Sequence, residues 1–394
     1  MKEGFQVTVG NIKLSDKAKQ YVNTVLDTNR LSYGPFSKKF EDLFAKTHNS
    51  KFGIFSNSGT SALQLALHTL KEIHNWEDQA EVIIPAVTFV ATANIVIQNN
   101  MKPIFVDVEK DTYHIDPKLI EEAITEKTKA IIPVHLFGMP CDMEKIMEIA
   151  NKNNLKVIED SCECMFARHH EKSVGSFGDI SCFSTYAAHL LITGVGGLNL
   201  TNNQEYATKL RSLMNHGRDS SYLSIDDDKD KTEEELKEIV KKRFSFVSLG
   251  YSYRCTEMEA AIGLAQLEDY ETMIKKRREK ASYLIENLKQ YEDKIQLPKI
   301  RDNTEHSFMM FPIVMKNETK ERMVNYLEKN GIETRDMLPL TNQPIYEKIG
   351  IKEEDYPNSK WINENGFYIG SHQDLSQEDL DHIIKVMDEA LNER

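Results

Sequence analysis

Cysteine is scarce in this chain: there are five in 394 residues, an odd number. So few thiols in so long a chain do not make a disulfide framework, and free thiols in a reducing compartment are expected. No apolar stretch approaches the ~18–20 residues of a membrane span. The start, Met1-Lys2-Glu3-Gly4-Phe5, lacks the apolar run of a signal peptide. The expected location is cytoplasmic. Basic side chains are in deficit, 49 against 62 acidic ones, giving a formal charge of −13. That argues against nucleic acid or an anionic membrane as partner, since both need a basic face. A small anionic ligand in a locally positive pocket stays open. Internal repeats and long low-complexity tracts are also missing. With 40% hydrophobic and 28% charged residues, the composition is that of a globular protein with room for two domains.

Short β-rich runs alternate with helical stretches. Residues 51–55, Val82-Ile83-Ile84, Ile104-Phe105-Val106, Ala130-Ile131-Ile132-Pro133-Val134 and Val157-Ile158 read as strands. Ala62, Leu63, Ala66, Leu67 and Leu70 recur at helical spacing, and residues 117–124 and 143–151 are polar helical stretches. This alternation predicts an α/β fold with a mostly parallel sheet covered on both faces. A long helical pattern over 258–288 leads to a region with its own strand at 309–314 and a final helix at 377–391. The expected division is a large domain, 1–265, and a small C-terminal domain, 266–394. The acidic stretch 226–243 reads as a surface insertion ending in a helix; as a calcium loop it lacks the required central glycine, and no metal site is expected.

Four polar clusters stand at the ends of expected strands, where open α/β sheets place ligands. Ser58-Gly59-Thr60 opens a helix, whose exposed amides suit an anion, although an ordinary helix cap reads the same. Asp160 follows Val157-Ile158-Glu159; it can hold a cation or cap a helix. Cys162 and Cys164 next to it have no second pair at metal-ligand spacing and read as small buried thiols. The third cluster runs from Gly178 through Ser184 and His189 to Thr193-Gly194-Val195-Gly196-Gly197, whose glycines do not form a dinucleotide fingerprint. The fourth is Leu249-Gly250-Tyr251-Ser252-Tyr253-Arg254.

Together these clusters resemble the sugar aminotransferase and dehydratase family of fold type I pyridoxal-phosphate enzymes, the group typified by DegT. The resemblance covers nearly the whole chain, through Leu31-Ser32-Tyr33-Gly34-Pro35, Pro85-Ala86-Val87-Thr88-Phe89, Pro133-Val134-His135-Leu136-Phe137-Gly138 and Gly263-Leu264-Ala265-Gln266-Leu267. It implies the fold type I transferase fold, with a mostly parallel central sheet in a large domain plus a small C-terminal α/β domain. It also implies that Gly59, Thr60 and Ser184 bind the cofactor phosphate, that Phe89 stacks on the pyridine ring, and that Asp160 pairs with the protonated pyridine nitrogen. Glu163 would orient the ring hydroxyl. Ser252 stands where the family has an Asn that reaches the phosphate of the neighbouring subunit, and a homodimer is implied. His216, Arg218, Arg335 and His372 are candidates for the substrate or glutamate pocket, each with an ordinary surface role as the alternative.

The position five residues after Ser184, where the aminotransferases carry the lysine that holds the cofactor covalently, is His189. No lysine occurs between Lys172 and Lys209. Imidazole has no primary amine, so the cofactor must be held non-covalently, while its reference pKa of ~6.5 still lets it move a proton near neutrality. The same replacement marks the family's 4-keto-6-deoxysugar 3-dehydratases, and Asp160-Ser161-Cys162-Glu163 and Gly366-Phe367-Tyr368-Ile369-Gly370-Ser371-His372 resemble that subgroup too. The resemblance implies pyridoxal or pyridoxamine phosphate as cofactor, a nucleotide-linked (GDP-linked) 4-keto-6-deoxy hexose or heptose as substrate, and a 3,6-dideoxy-4-keto sugar as product. The stretch from Arg218 to Phe246 contains no cysteine, so the iron–sulfur type of dehydratase is not expected and L-glutamate is the expected amino donor. A sugar aminotransferase tolerating His189, and a non-catalytic protein binding cofactor or nucleotide sugar, are the competing readings.

Overall fold

The computed structural model describes residues 4–219, 231–242 and 244–392. Of the acidic stretch, Asp226 to Asp230 and Arg243 lie outside the described residues; Glu233–Lys242 is a helix, as expected for the end of that insertion.

Seven strands build the larger sheet: β1 (Phe52–Ser56), β2 (Glu81–Pro85), β3 (Lys102–Val106), β4 (Thr128–Ile131), β5 (Lys156–Asp160), β8 (Ile180–Ser184) and β9 (Gly197–Thr201). A short hairpin, β6 (Arg168–His169) and β7 (Lys172–Ser173), lies outside it. The order is β1-β9-β8-β5-β4-β2-β3, and only β9 runs antiparallel to its neighbours. The inner strands read as near-continuous apolar runs because helices cover both faces, leaving every residue of β2, β8 and β9 buried. The helix Gly59–Ile73 lies on one face, with Ala62, Leu63, Leu65, Ala66, Leu67 and Leu70 all buried. Removing that much apolar surface from water is what holds it there, at about 1.5–3 kcal/mol for each large side chain.

The second sheet has four antiparallel strands, β10 (Ile295–Gln296), β11 (Met310–Met315), β12 (Thr334–Asp336) and β13 (Gly366–Gly370), in the order β10-β11-β13-β12. Strand β11 is buried on both faces. Phe311, Ile313 and Met315 pack with the helices Lys320–Lys329 and Gln377–Asn392, whereas Met310 and Val314 join the core that continues into the large sheet. Val7, near the N-terminus, bridges Ile332 and belongs to the same small core.

The helical pattern expected over 258–288 is two helices, Glu257–Leu267 and Tyr270–Leu288. Their junction is Asp269, with φ −128° and ψ 20°, a conformation outside the helical range. The first helix starts at a capping box: Thr256 accepts from the Met258 amide at 3.3 Å, while Glu259 accepts from the Thr256 amide at 2.9 Å. The second helix contributes Ile274 to the central core and Ala281, Leu284 and Leu288 to the small one, so it joins the two.

Candidate active site

The segments that follow β1, β2, β5 and β8 enclose a cavity of about 400 Å³, closed from the other side by Met309, Met310 and Tyr368 around the smaller sheet. Ser58 caps the helix Gly59–Ile73 by accepting from the Ser61 amide at 3.0 Å. The first bond of the helical ladder runs from the Ala62 amide to the Ser58 carbonyl, so the amides of Gly59 and Thr60 precede it at the positive end of the helix. The Ser184 hydroxyl stands beside them. A Cβ placed on Gly59 would lie 2.7 Å from Ser184 Cβ and 3.0 Å from Cys162 Sγ, so only glycine fits between β8 and this turn. Two amides and a hydroxyl at a helix N-terminus are a cradle for a phosphate.

At the end of β5, side chains alternate between the two faces of the sheet. Glu159 points away from the cavity and accepts from the amides of Gly175, Phe177 and Gly178 at 2.7–2.9 Å. Asp160 points into it, 4% exposed. Its Oδ2 accepts from Thr92 Oγ1 at 2.8 Å, Thr92 contacts Thr88 Oγ1 at 2.9 Å, and its Oδ1 accepts from the Cys162 amide at 3.2 Å. Burial raises its pKa, against these hydrogen bonds. A buried carboxylate served by neutral donors suits a cationic ring nitrogen. Phe89, 56% exposed, presents an aromatic face at the cavity. Phosphate cradle, buried carboxylate and free ring together fit pyridoxal phosphate.

Glu163 lies on the far side of Asp160. Its Oε2 accepts from the Phe137 amide at 2.9 Å, and burial pushes its pKa up to about 7. Neutral and ionised forms are therefore both populated near pH 7.

His189 projects from the loop between β8 and β9. Its amide donates to the Tyr186 carbonyl at 2.9 Å, its ring meets the Tyr186 ring edge-on at 6.2 Å, and Nδ1 is enclosed without a hydrogen-bond partner. Burial lowers its pKa to about 4, with the Cys162 backbone acting in the opposite direction, so the imidazole is neutral at pH 7. The loop is closed by bonds from the Thr185 amide to Gly196 O (2.9 Å) and from the Thr193 amide to Thr185 O (2.8 Å). Gln266 fixes its outer edge, accepting from the Ile192 amide at 3.1 Å and donating to the Ile192 carbonyl. That is a physical role for the Gly263-Leu264-Ala265-Gln266-Leu267 run. No lysine is among the side chains lining the cavity in the described residues.

Thus Gly59, Thr60, Phe89, Asp160, Glu163, Ser184 and His189 come together. The other candidates lie elsewhere in the single chain. Exposed Ser252 bridges Asn215 and accepts from Arg254 Nη2 at 3.1 Å, and the same guanidinium group meets His216 at 3.3 Å. Arg218 stands over the rings of Phe244 and Phe246. Arg335, also exposed, donates to the Thr334 carbonyl at 2.7 Å and pairs with Glu333. His372 is 4% exposed, with burial lowering its pKa to about 4, and does not reach the cavity. Sequence reasoning overlooked Thr88 and Thr92, which orient Asp160, although a threonine pair four apart on either side of Phe89 was a usable signal. For Met309, Met310 and Leu338 no local signal exists.

The model of the DegT/DnrJ/EryC1/StrS aminotransferase family matches residues 13–388. The chain is 31% identical to a GDP-perosamine synthase of Caulobacter vibrioides over 98% of both chains. It is 29% identical to a GDP-4-keto-6-deoxy-D-mannose 3-dehydratase of Escherichia coli, over 93% of this chain and 95% of that one. The solved E. coli dehydratase with bound hydrated PLP superposes with a TM-score of 0.88 at 26% identity, over 98% of this chain and 100% of that one. Another structure of a GDP-4-keto-6-deoxymannose-3-dehydratase, at 26% identity and TM-score 0.85 over 97% and 100% of the two chains, holds a trapped PLP-glutamate geminal diamine. The chain belongs to the DegT/DnrJ/EryC1/StrS aminotransferase family and is a pyridoxal-phosphate enzyme of nucleotide-sugar chemistry.

Proposed function

We propose that this chain is a 3-dehydratase of a nucleotide-linked, GDP-linked by preference, 4-keto-6-deoxy hexose or heptose, with its cofactor recharged by glutamate. The observation that carries this reading is His189: a neutral imidazole with an enclosed, unpartnered Nδ1, lining a cavity without a lysine. Pyridoxamine phosphate, when bound, supplies the amine that condenses with the sugar's C4 ketone and a ring that takes up electrons. Gly59, Thr60 and Ser184 hold its phosphate, Phe89 covers its ring, and Asp160 keeps the ring nitrogen protonated. His189, being neutral, accepts a proton from the cofactor's C4′ carbon and, as imidazolium, returns one to the C3 hydroxyl, which leaves as water. Each proton transfer is worth roughly 10²–10⁴-fold. Hydrolysis then yields the 3,6-dideoxy-4-keto sugar, ammonia and pyridoxal phosphate, which glutamate converts back to the amine form. A lysine at this position would instead return the proton to sugar C4 and complete an amino transfer.

Glutamate as donor is supported by the solved dehydratase holding it on PLP, and by the lack of cysteine from Arg218 to Phe246. Incubation with pyridoxal phosphate, glutamate and a GDP-4-keto-6-deoxy sugar is expected to give a product that has lost the C3 oxygen, with release of ammonia. An amino sugar that keeps the C3 hydroxyl would establish the aminotransferase reading, and absence of turnover with bound cofactor the binding-protein reading.

The active unit is read as a homodimer. Phe244, Phe246, Val247 and Leu249 are 52–89% exposed and adjoin Arg218, His216 and Ser252, three of the candidates left outside the cavity. A second copy would cover this apolar strip and bring Ser252 to a neighbouring cofactor phosphate. Sedimentation at twice the chain mass is expected; a fully active monomer would refute the reading.

A further inference from the structure

Two strained turns meet behind the cavity wall. Phe137 has φ +57° and Gly138 φ +98°; across from them Phe308 has φ +47°. For a bulky aromatic residue this left-handed conformation costs on the order of 1–3 kcal/mol and persists only where surrounding contacts enforce it. The turns are clasped by the Met309 amide to the Phe137 carbonyl (3.0 Å) and the Ser307 amide to the Gly138 carbonyl (2.7 Å). A Cβ on Gly138 would stand 2.7 Å from the backbone nitrogens of both Phe308 and Met309. Behind the Phe308 turn lies Arg277, 4% exposed, whose Nη1 donates to the carbonyls of Phe308 and Met309, each at 3.1 Å. Ser371 Oγ donates to the same Phe308 carbonyl at 3.1 Å.

Among the described residues Arg277 forms no salt bridge, Asp374 being the carboxylate that attracts it from further off, and its Nε is buried without an acceptor. A guanidinium spent on two carbonyls is an expensive clamp. The Phe308–Met309 peptide is held at both ends: its oxygen, that of Phe308, by Arg277 and Ser371, and its N–H, that of Met309, by Phe137 O. Phe137, on the far side of that bond, donates its own N–H to Glu163 Oε2 at 2.9 Å. Three hydrogen bonds thus link Arg277 to Glu163 through the 308–309 peptide and the Phe137 backbone, whose left-handed conformation these contacts enforce.

We propose that Arg277 is a positioning residue: by fixing the Phe308–Met309 peptide it aims the Phe137 amide at the Glu163 carboxyl and sets the wall formed by Met309 and Met310. The inference rests on Glu163 belonging to the cofactor site, and not on which reaction follows. Groups facing Glu163 are Asp160, Cys162 and Cys164 from its own segment and Tyr368 from β13.

The test follows the Glu163 carboxyl carbon by ¹³C NMR across pH 5–9 in the whole chain without cofactor, its resonance identified by loss in Glu163→Gln. In Arg277→Met the titration midpoint is expected to rise by about one pH unit, because a carboxylate that loses an amide donor is easier to protonate. Arg277→Lys, which keeps charge and a donor, restores most of that shift. Ser371→Ala, which changes no charge, moves the midpoint in the same direction by less. Unchanged midpoints in Arg277→Met and Ser371→Ala overturn the proposal, as does a shift in Arg277→Met alone, which removal of a charge would give. A chain that transaminates instead of dehydrating leaves this titration untouched, so the two readings fail separately.

Discussion

Replacing His189 with alanine is expected to slow C3 deoxygenation by roughly 10²–10⁴-fold while leaving cofactor binding within a small factor. The reason is division of labour in the cavity. In the proposed site, phosphate, ring and ring nitrogen would face Gly59, Thr60, Ser184, Phe89 and Asp160, whereas His189 comes from a separate loop fastened by Gln266. Deleting the imidazole removes the proton carrier and little of the grip. His189→Lys is the sharper variant. It restores a primary amine in that loop, so borohydride reduction is expected to leave a pyridoxyl group on the variant and none on the wild type. Deoxygenation should fall, and an amino sugar retaining its C3 hydroxyl should accumulate. Because burial holds the wild-type imidazole near pKa 4, loss of its free-base form should limit turnover only well below pH 6. No adduct on the lysine variant would mean that residue 189 does not face the cofactor, and the mechanism would fall with it.

Asp160→Asn carries the second large effect. The wild-type carboxylate sits in a buried pocket with a hydroxyl and an amide as donors, and its burial cost is offset when a protonated ring nitrogen arrives. Breaking one side of a buried ion pair costs about 3–5 kcal/mol. At 1.4 kcal/mol per decade this is a loss of cofactor affinity of about 10² to 4 × 10³-fold. Absorbance titration of pyridoxamine phosphate into the variant measures it directly. Turnover at saturating cofactor should also fall, since a neutral amide does not keep the ring nitrogen protonated. Thr92→Val tests the support beneath: losing one hydrogen bond to a charged group should weaken binding by about 1.5–3 kcal/mol, clearly less than Asp160→Asn. Equal affinity in wild type and Asp160→Asn would place the ring nitrogen elsewhere.

Much of this site is legible in the sequence because strand ends and the turns after them are contiguous there. Ser58-Gly59-Thr60, Phe89, Asp160 with Glu163, and Ser184 with His189 each occupy a few residues past the end of a buried strand, and chain direction in a parallel sheet carries all of them to one side. What was hidden depends on distance in the chain. Met309, Met310 and Tyr368 reach the cavity because β11 pairs with β13 and the clasped turns at 137 and 308 seat the smaller sheet there. Nothing in their local sequence marks that arrival. Arg335 and His372 were drawn in by polar character near recognisable motifs, yet one is occupied with Glu333 and the other is enclosed beside Arg277. The break at Asp269 was equally invisible, since apolar spacing continues across it and one non-helical residue is enough to turn the chain.

Strand β11 packs one face into the small core, through Phe311, Ile313 and Met315, while Met310 on the other meets the cavity. The Met310 side of the cavity wall and the keystone of the smaller sheet are therefore opposite sides of one ribbon. Anyone reshaping this enzyme for another sugar inherits that bargain. A library restricted to residues touching the cavity leaves this wall where the core behind dictates, and swaps of Phe311 or Ile313, which do not line the cavity, become the coarse adjustment that pocket mutations can only trim.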